Sequence, residues 1–92
     1  MIVRILADGQ YELPEDLIGK LNELDNAAVA AVEAGDEPKF HELFDQMIEM
    51  VVNGGSPLAD DELVESQVIV PPRDISFDEA KDEFTGEGLI PD

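Results

Sequence analysis

The first residues of the chain form two short segments with the patterns of β-strands. Residues 2–6 are apolar apart from Arg4, and residues 10–13 alternate polar and apolar side chains. Asp8-Gly9 lies between these two segments, and this dipeptide is favoured in type I′ turns, whose central residues both need a positive φ angle. The pattern predicts an N-terminal β-hairpin.

The middle of the chain changes to the helical period of three and four residues. Two apolar stripes, each typical of an amphipathic helix, consist of Leu17, Leu21, Leu24, Ala28 and Ala31 or Val32 in the first, and Phe40, Leu43, Phe44, Met47, Ile48 and Val51 in the second. Pro14 suits a helical first turn, Gly35 a helix end and Asp36 an N-cap, while Gly54-Gly55 ends the second stripe. Because the link between the stripes is so short, we predict an antiparallel helix hairpin.

The C-terminal third contains shorter elements. Residues 56–65 are acidic and are predicted as a loop, whereas residues 68–70 (Val-Ile-Val) predict a short third strand. Ser76 and Glu79 match a capping box and predict a short helix over 77–84. A chain of 92 residues has room for one small core, so we predict a single α+β domain over residues 1–92.

The charge of the chain is strongly one-sided. Asp and Glu number 23 against five Lys and Arg, which gives a net charge of −18. Phosphates would be repelled, so direct binding of nucleic acid or insertion into an anionic membrane is not expected. We predict a soluble, cytoplasmic protein. The acidity has two open explanations, a surface that attracts a basic partner or an adaptation to a salt-rich cytoplasm.

Candidate catalytic chemistry is sparse. His41 has Glu37 and Asp45 four residues to either side, which could form a metal site or an acid–base pair, but a single imidazole without further ligands favours a solvated histidine. The run Asp60-Asp61-Glu62 lacks the ligand spacing of a calcium-binding EF-hand. The sequence contains no cysteine. We therefore predict no enzyme, no catalytic residue, no cofactor and no metal.

The apolar side chains of the second helix have two interpretations. Phe40, Phe44 and Met47 are expected in the core, because a chain this short has few other residues to fill it. Two helices and a small sheet nevertheless leave spare apolar surface. Homodimerisation, or docking on the helix of a partner, therefore remains open.

The chain as a whole resembles the PspA-associated proteins (PspAA) of archaea and some bacteria, which are encoded beside homologues of phage shock protein A. The segments that carry the resemblance are MIVRI (1–5), GQY (9–11), LNELD (21–25), EAGDE (33–37), LADDELVES (58–66), Pro71-Pro72 with Asp74, and EGLIP (87–91). The helical segments are unspecific, whereas the loop at 58–66 and the tail at 87–91 are more distinctive.

The resemblance implies a non-enzymatic accessory of the membrane stress response. Its expected partner is a phage shock protein A homologue, a long coiled-coil protein that assembles on stressed membranes, or a protein that works with it. The family has no established catalytic residues or cofactor, so none is carried over. For the contact itself we select Asp60, Asp61 and Glu62, because these three carboxylates lie in the distinctive loop.

Three other functions remain as alternatives. An acidic inhibitor that mimics nucleic acid would compete with DNA for a DNA-binding protein. A stand-alone homodimer whose acidity is only salt adaptation would become more stable as salt rises. A hydrolase that uses His41 would bind a divalent metal ion.

Overall fold

The structure of the protein is a computed structural model that describes residues 1–6, 8–58, 68–84 and 89. It has an N-terminal hairpin, two long helices, a short strand and a short C-terminal helix, which confirms the predicted α+β fold. The elements in chain order are β1 (Ile2–Ile5), β2 (Gly9–Glu12), α1 (Glu15–Ala34), α2 (Glu37–Gly54), β3 (Ser56–Pro57), β4 (Val68–Val70) and α3 (Phe77–Glu83).

The strands form one four-stranded sheet in the order β3-β2-β1-β4. The predicted third strand is β4, which pairs in parallel with β1. It is fourth in chain order because Ser56–Pro57, inside the segment predicted as a loop, pairs with β2 after α2 has ended. Pro57 is tolerated there because the strand lies at the edge of the sheet, where a missing N–H costs little.

The turn of the hairpin differs from the prediction. Ile5 is paired with Gly9, so three residues connect the strands and Gly9 is the first residue of β2. The amide of Asp8 donates to the carbonyl of Ile5 at 3.0 Å, and Gly9 then takes a φ of 137°. The prediction of a type I′ turn was wrong, because a three-residue connection also needs a glycine with positive φ, at the residue after the turn.

Several predicted helix caps form, but Pro14, predicted in the first turn of α1, lies just before the helix in an extended conformation, and α1 begins at Glu15. Gly35 has a φ of 71° and ends α1, and the Asp36 carboxylate accepts from the amide of Lys39 at 3.3 Å to begin α2. The Ser76 hydroxyl accepts from the amide of Glu79 at 3.2 Å at the start of α3. Only Gly35 and Asp36 separate α1 from α2, and the two helices pack against each other as the predicted hairpin.

The core lies between the sheet and the helices. The inward side chains of β1 and β4 are buried there, together with the apolar face of α2, which confirms that Phe40, Phe44 and Met47 belong to the core. Phe84 joins α3 to this core, with ring centroids 5.0 Å from Phe40 and 5.7 Å from Phe44. The helix faces that point away from the sheet are left as surface.

Candidate partner-binding surfaces

The acidic run selected from the sequence, Asp60-Asp61-Glu62, lies outside the described residues. It therefore stays a prediction. Two surfaces among the described residues bear on partner binding, a groove along the two long helices and an apolar patch beside β4.

The groove lies between α1 and α2 and has a volume of about 650 Å³. We call it the acidic groove, and its lining residues are Leu24, Glu42, Asp45, Gln46, Glu49, Met50 and Asn53. Leu24 comes from α1 and the other six come from α2. The groove is wide and shallow, so it suits an elongated surface of a partner rather than an enclosed small molecule.

The periodicity of α2 explains why acidic side chains line this groove. Its apolar stripe is buried, so positions about half a turn away face the solvent. Glu42, Asp45 and Glu49 are exposed and follow one another at spacings of three and four residues, which places them along one face. This spacing is visible in the sequence, but the groove also requires Leu24 of the neighbouring helix.

The floor of the groove is apolar. Leu24 and Met50 are half-buried and pack against the core with part of each side chain still accessible. Leu24 was predicted in the core stripe of α1, and it lies at the margin of that stripe. The groove therefore combines an apolar floor with a carboxylate rim, a pairing that matches an amphipathic segment carrying positive charge.

The carboxylates of the rim differ in how far they are already paired. Glu49 interacts through both oxygens, since Oε1 lies 3.3 Å from the guanidinium of Arg73 and Oε2 accepts from the side-chain amide of Asn53 at 3.0 Å. Glu42 and Asp45 make no ion pair with any described residue. These two carboxylates are therefore the ones free to receive a cation from a partner.

The second surface is an apolar patch at the edge of the sheet. Ile69 is 55% exposed on the outer face of β4, and Leu6 is 43% exposed after β1. They line a groove of about 410 Å³ with Pro71, Pro72, Ile75, Glu79, Asp82 and Glu83. This patch is the described surface with exposed large apolar side chains, and nothing in the structure shows what covers it.

His41 lies at the margin of the apolar face of α2. Its Nε2 is 4.0 Å from the Glu37 carboxylate, and its side chain is 42% exposed. Its ring also meets Phe40 edge-on at 5.3 Å. Asp45, the other predicted partner, lines the acidic groove instead. Within the part of the chain that the structure describes, no three His, Asp or Glu side chains are grouped to hold a metal ion.

Asp25 is a buried charged residue that was not predicted from the sequence. It is fully buried on α1, and its carboxylate accepts from the amide of Leu89 at 3.0 Å. Its burial could have been predicted, because it lies four residues after Leu21 and three before Ala28, on the same buried stripe of α1. Asp25 therefore joins the first long helix to Leu89 and has a structural role.

Comparison with known proteins gives one match. The family model PspAA, described as PspA-Associated protein, matches residues 1–92. No curated protein and no solved structure matches the chain. In the described part of the chain, no helix combines the length and the apolar composition that crossing a membrane requires.

Proposed function

Because the chain belongs to the PspA-associated protein family, PspAA, we propose that it is a non-enzymatic interaction module that binds a phage shock protein A homologue. In this proposal the contact changes the availability or the assembly of that partner during the membrane stress response. The observation that carries the proposal is the match of the family model to residues 1–92, which leaves no segment of this chain outside it.

The charge of the protein supports an electrostatic contact. A net charge of −18 attracts a basic partner and speeds its association, and the attraction weakens as salt screens it. The basic stretches of a membrane-associated coiled coil are suitable targets, because such stretches are selected to meet anionic lipid. The acidic groove and the carboxylates of Asp60, Asp61 and Glu62 are the two parts of the chain that we propose for the contact.

The experiment is affinity purification of the tagged protein from its own cells at native ionic strength, repeated at higher salt. We expect recovery of a long coiled-coil protein that is lost as salt rises. Binding is then measured with the purified phage shock protein A homologue. Recovery of the bait alone, together with no binding of the purified homologue, would overturn the proposal.

A further inference from the structure

We propose that the acidic groove binds a basic amphipathic helix, whose apolar side chains contact Leu24 and Met50 and whose Lys or Arg side chains pair with Glu42 and Asp45. The proposal deepens the proposed function, on which it rests for the helical nature of the partner. It adds the surface of contact and the chemistry of the segment that occupies it.

The dimensions of the groove suit a helix. Its α2 residues run from Glu42 to Asn53, which at roughly 1.5 Å per residue is a length of about 16 Å, or three helical turns. A helix bound in a groove contacts it through side chains three and four residues apart, and three turns are enough for such a set of anchors. Met50 suits this role because its flexible thioether adapts to different apolar neighbours.

The negative charge of the groove favours a positively charged occupant. Among the residues that the structure describes, its lining includes three acidic side chains and no basic one. Because Arg73 already pairs with Glu49, the unneutralised charge is concentrated on Glu42 and Asp45. An acidic helix would be repelled, and so would a second copy of this chain, since each copy carries a net charge of −18.

The probe is a synthetic helical peptide of about 18 residues with Leu on one face and Lys on the other, labelled for fluorescence anisotropy. The groove variant is Glu42→Gln with Asp45→Asn. The matched control is Glu12→Gln with Glu33→Gln, two exposed carboxylates on β2 and at the end of α1. Both variants remove two negative charges, so they differ only in where the charge is lost.

We expect the groove variant to weaken peptide binding roughly three- to tenfold, as the loss of two partly exposed ion pairs should. The control should change binding by less than about twofold, because distant charges are screened. A scrambled peptide of the same composition should bind more weakly and should not distinguish the variants. Circular dichroism establishes that both variants keep the helical content of the parent protein.

Equal weakening by both variants would show attraction by net charge alone and would overturn the proposal. Absence of peptide binding to the parent protein would overturn it as well. The phage shock protein A homologue separates this result from the proposed function. If the parent protein and the groove variant bind that homologue equally, the groove is not the contact surface, whereas the proposed function is supported. If the homologue does not bind the parent protein, the proposed function is contradicted, and the peptide measurement still tests whether the groove binds a basic helix.

Discussion

Arg73 controls how much of the negative charge in the acidic groove is available to a partner. Its guanidinium lies 3.3 Å from the Glu49 carboxylate and 4.0 Å from that of Asp8, and its side chain is 45% exposed. An exposed pair of this kind contributes at most about 1 kcal/mol to the free energy of unfolding. Its larger effect is that it neutralises one carboxylate of the groove rim.

Replacing Arg73 by Gln should therefore strengthen binding of the Lys/Leu peptide, by roughly two- to fivefold, since Glu49 becomes free to pair with a lysine. The matched control is Arg4→Gln, which removes one positive charge from the outer face of the sheet. Fluorescence anisotropy compares the two dissociation constants. Equal strengthening by both changes would mean that Arg73 acts only through the net charge.

Asp25 gives a prediction about stability. Replacement by Ala would remove the acceptor of the partly buried Leu89 amide and truncate a fully buried side chain, at a cost of about 1–3 kcal/mol in the free energy of unfolding. Asp25→Asn should cost less because its side-chain carbonyl can still accept the same hydrogen bond. Urea denaturation measures both values.

A control for Asp25 is deletion of residues 85–92, which removes Leu89. In the shortened chain, Asp25→Ala should cost clearly less than in the full chain, because the shared hydrogen bond is already lost. Identical costs in both backgrounds would contradict a structural link between Asp25 and the tail. The burial of Asp25 could be predicted from the stripe, but its partner could not, since Leu89 lies 64 residues away along the chain.

At the scale of elements, predictability follows the range of the interactions. The end of α1 at Gly35 and the starts of α2 and α3 were predictable because a cap involves residues only three or four positions apart. The strand at Val68–Val70 was also recognisable from its composition. Its parallel pairing with β1, and the pairing of Ser56–Pro57 with β2, join distant segments and leave no local signal in the sequence.

The acidic run Asp60-Asp61-Glu62 gives a prediction at the same scale. Changing Asp60 and Asp61 to Asn, with Glu62 to Gln, should weaken binding of the phage shock protein A homologue by roughly three- to tenfold, because three negative charges are lost. Titration with the purified homologue measures this, and helical circular dichroism should be unchanged. Unchanged affinity would remove this acidic run from the proposed contact and leave the acidic groove as the proposed surface.

At the scale of the whole molecule, the acidity that attracts a partner also opposes folding. A net charge of −18 repels itself in the compact state, and salt screens that repulsion over about 8–10 Å at moderate ionic strength. Raising NaCl should therefore stabilise the free protein while it weakens binding of a basic partner. If the acidity were only an adaptation to salt, NaCl would stabilise the protein but no partner would bind. A binding experiment therefore separates salt adaptation from a partner-binding surface.

Glu42 and Asp45 allow the opposite effects of acidity on stability and on binding to be tested with one variant. They lie three residues apart on α2, Asp45 lies four residues before Glu49, and like charges at such spacings destabilise a helix by about 0.2–0.5 kcal/mol per pair. Neutralising both with Glu42→Gln and Asp45→Asn should therefore raise the melting temperature by about 2–4 °C. Differential scanning calorimetry measures the change.

The same variant is expected to bind the Lys/Leu peptide more weakly, so stability and binding should change in opposite directions. Residues that serve a binding surface commonly show this relation, because the arrangement that suits a partner is not the most stable one for the free chain. A structural role for Glu42 and Asp45 would instead lower the melting temperature. A lower melting temperature would therefore assign these carboxylates to the fold, whereas a higher one with weaker binding would assign them to the partner.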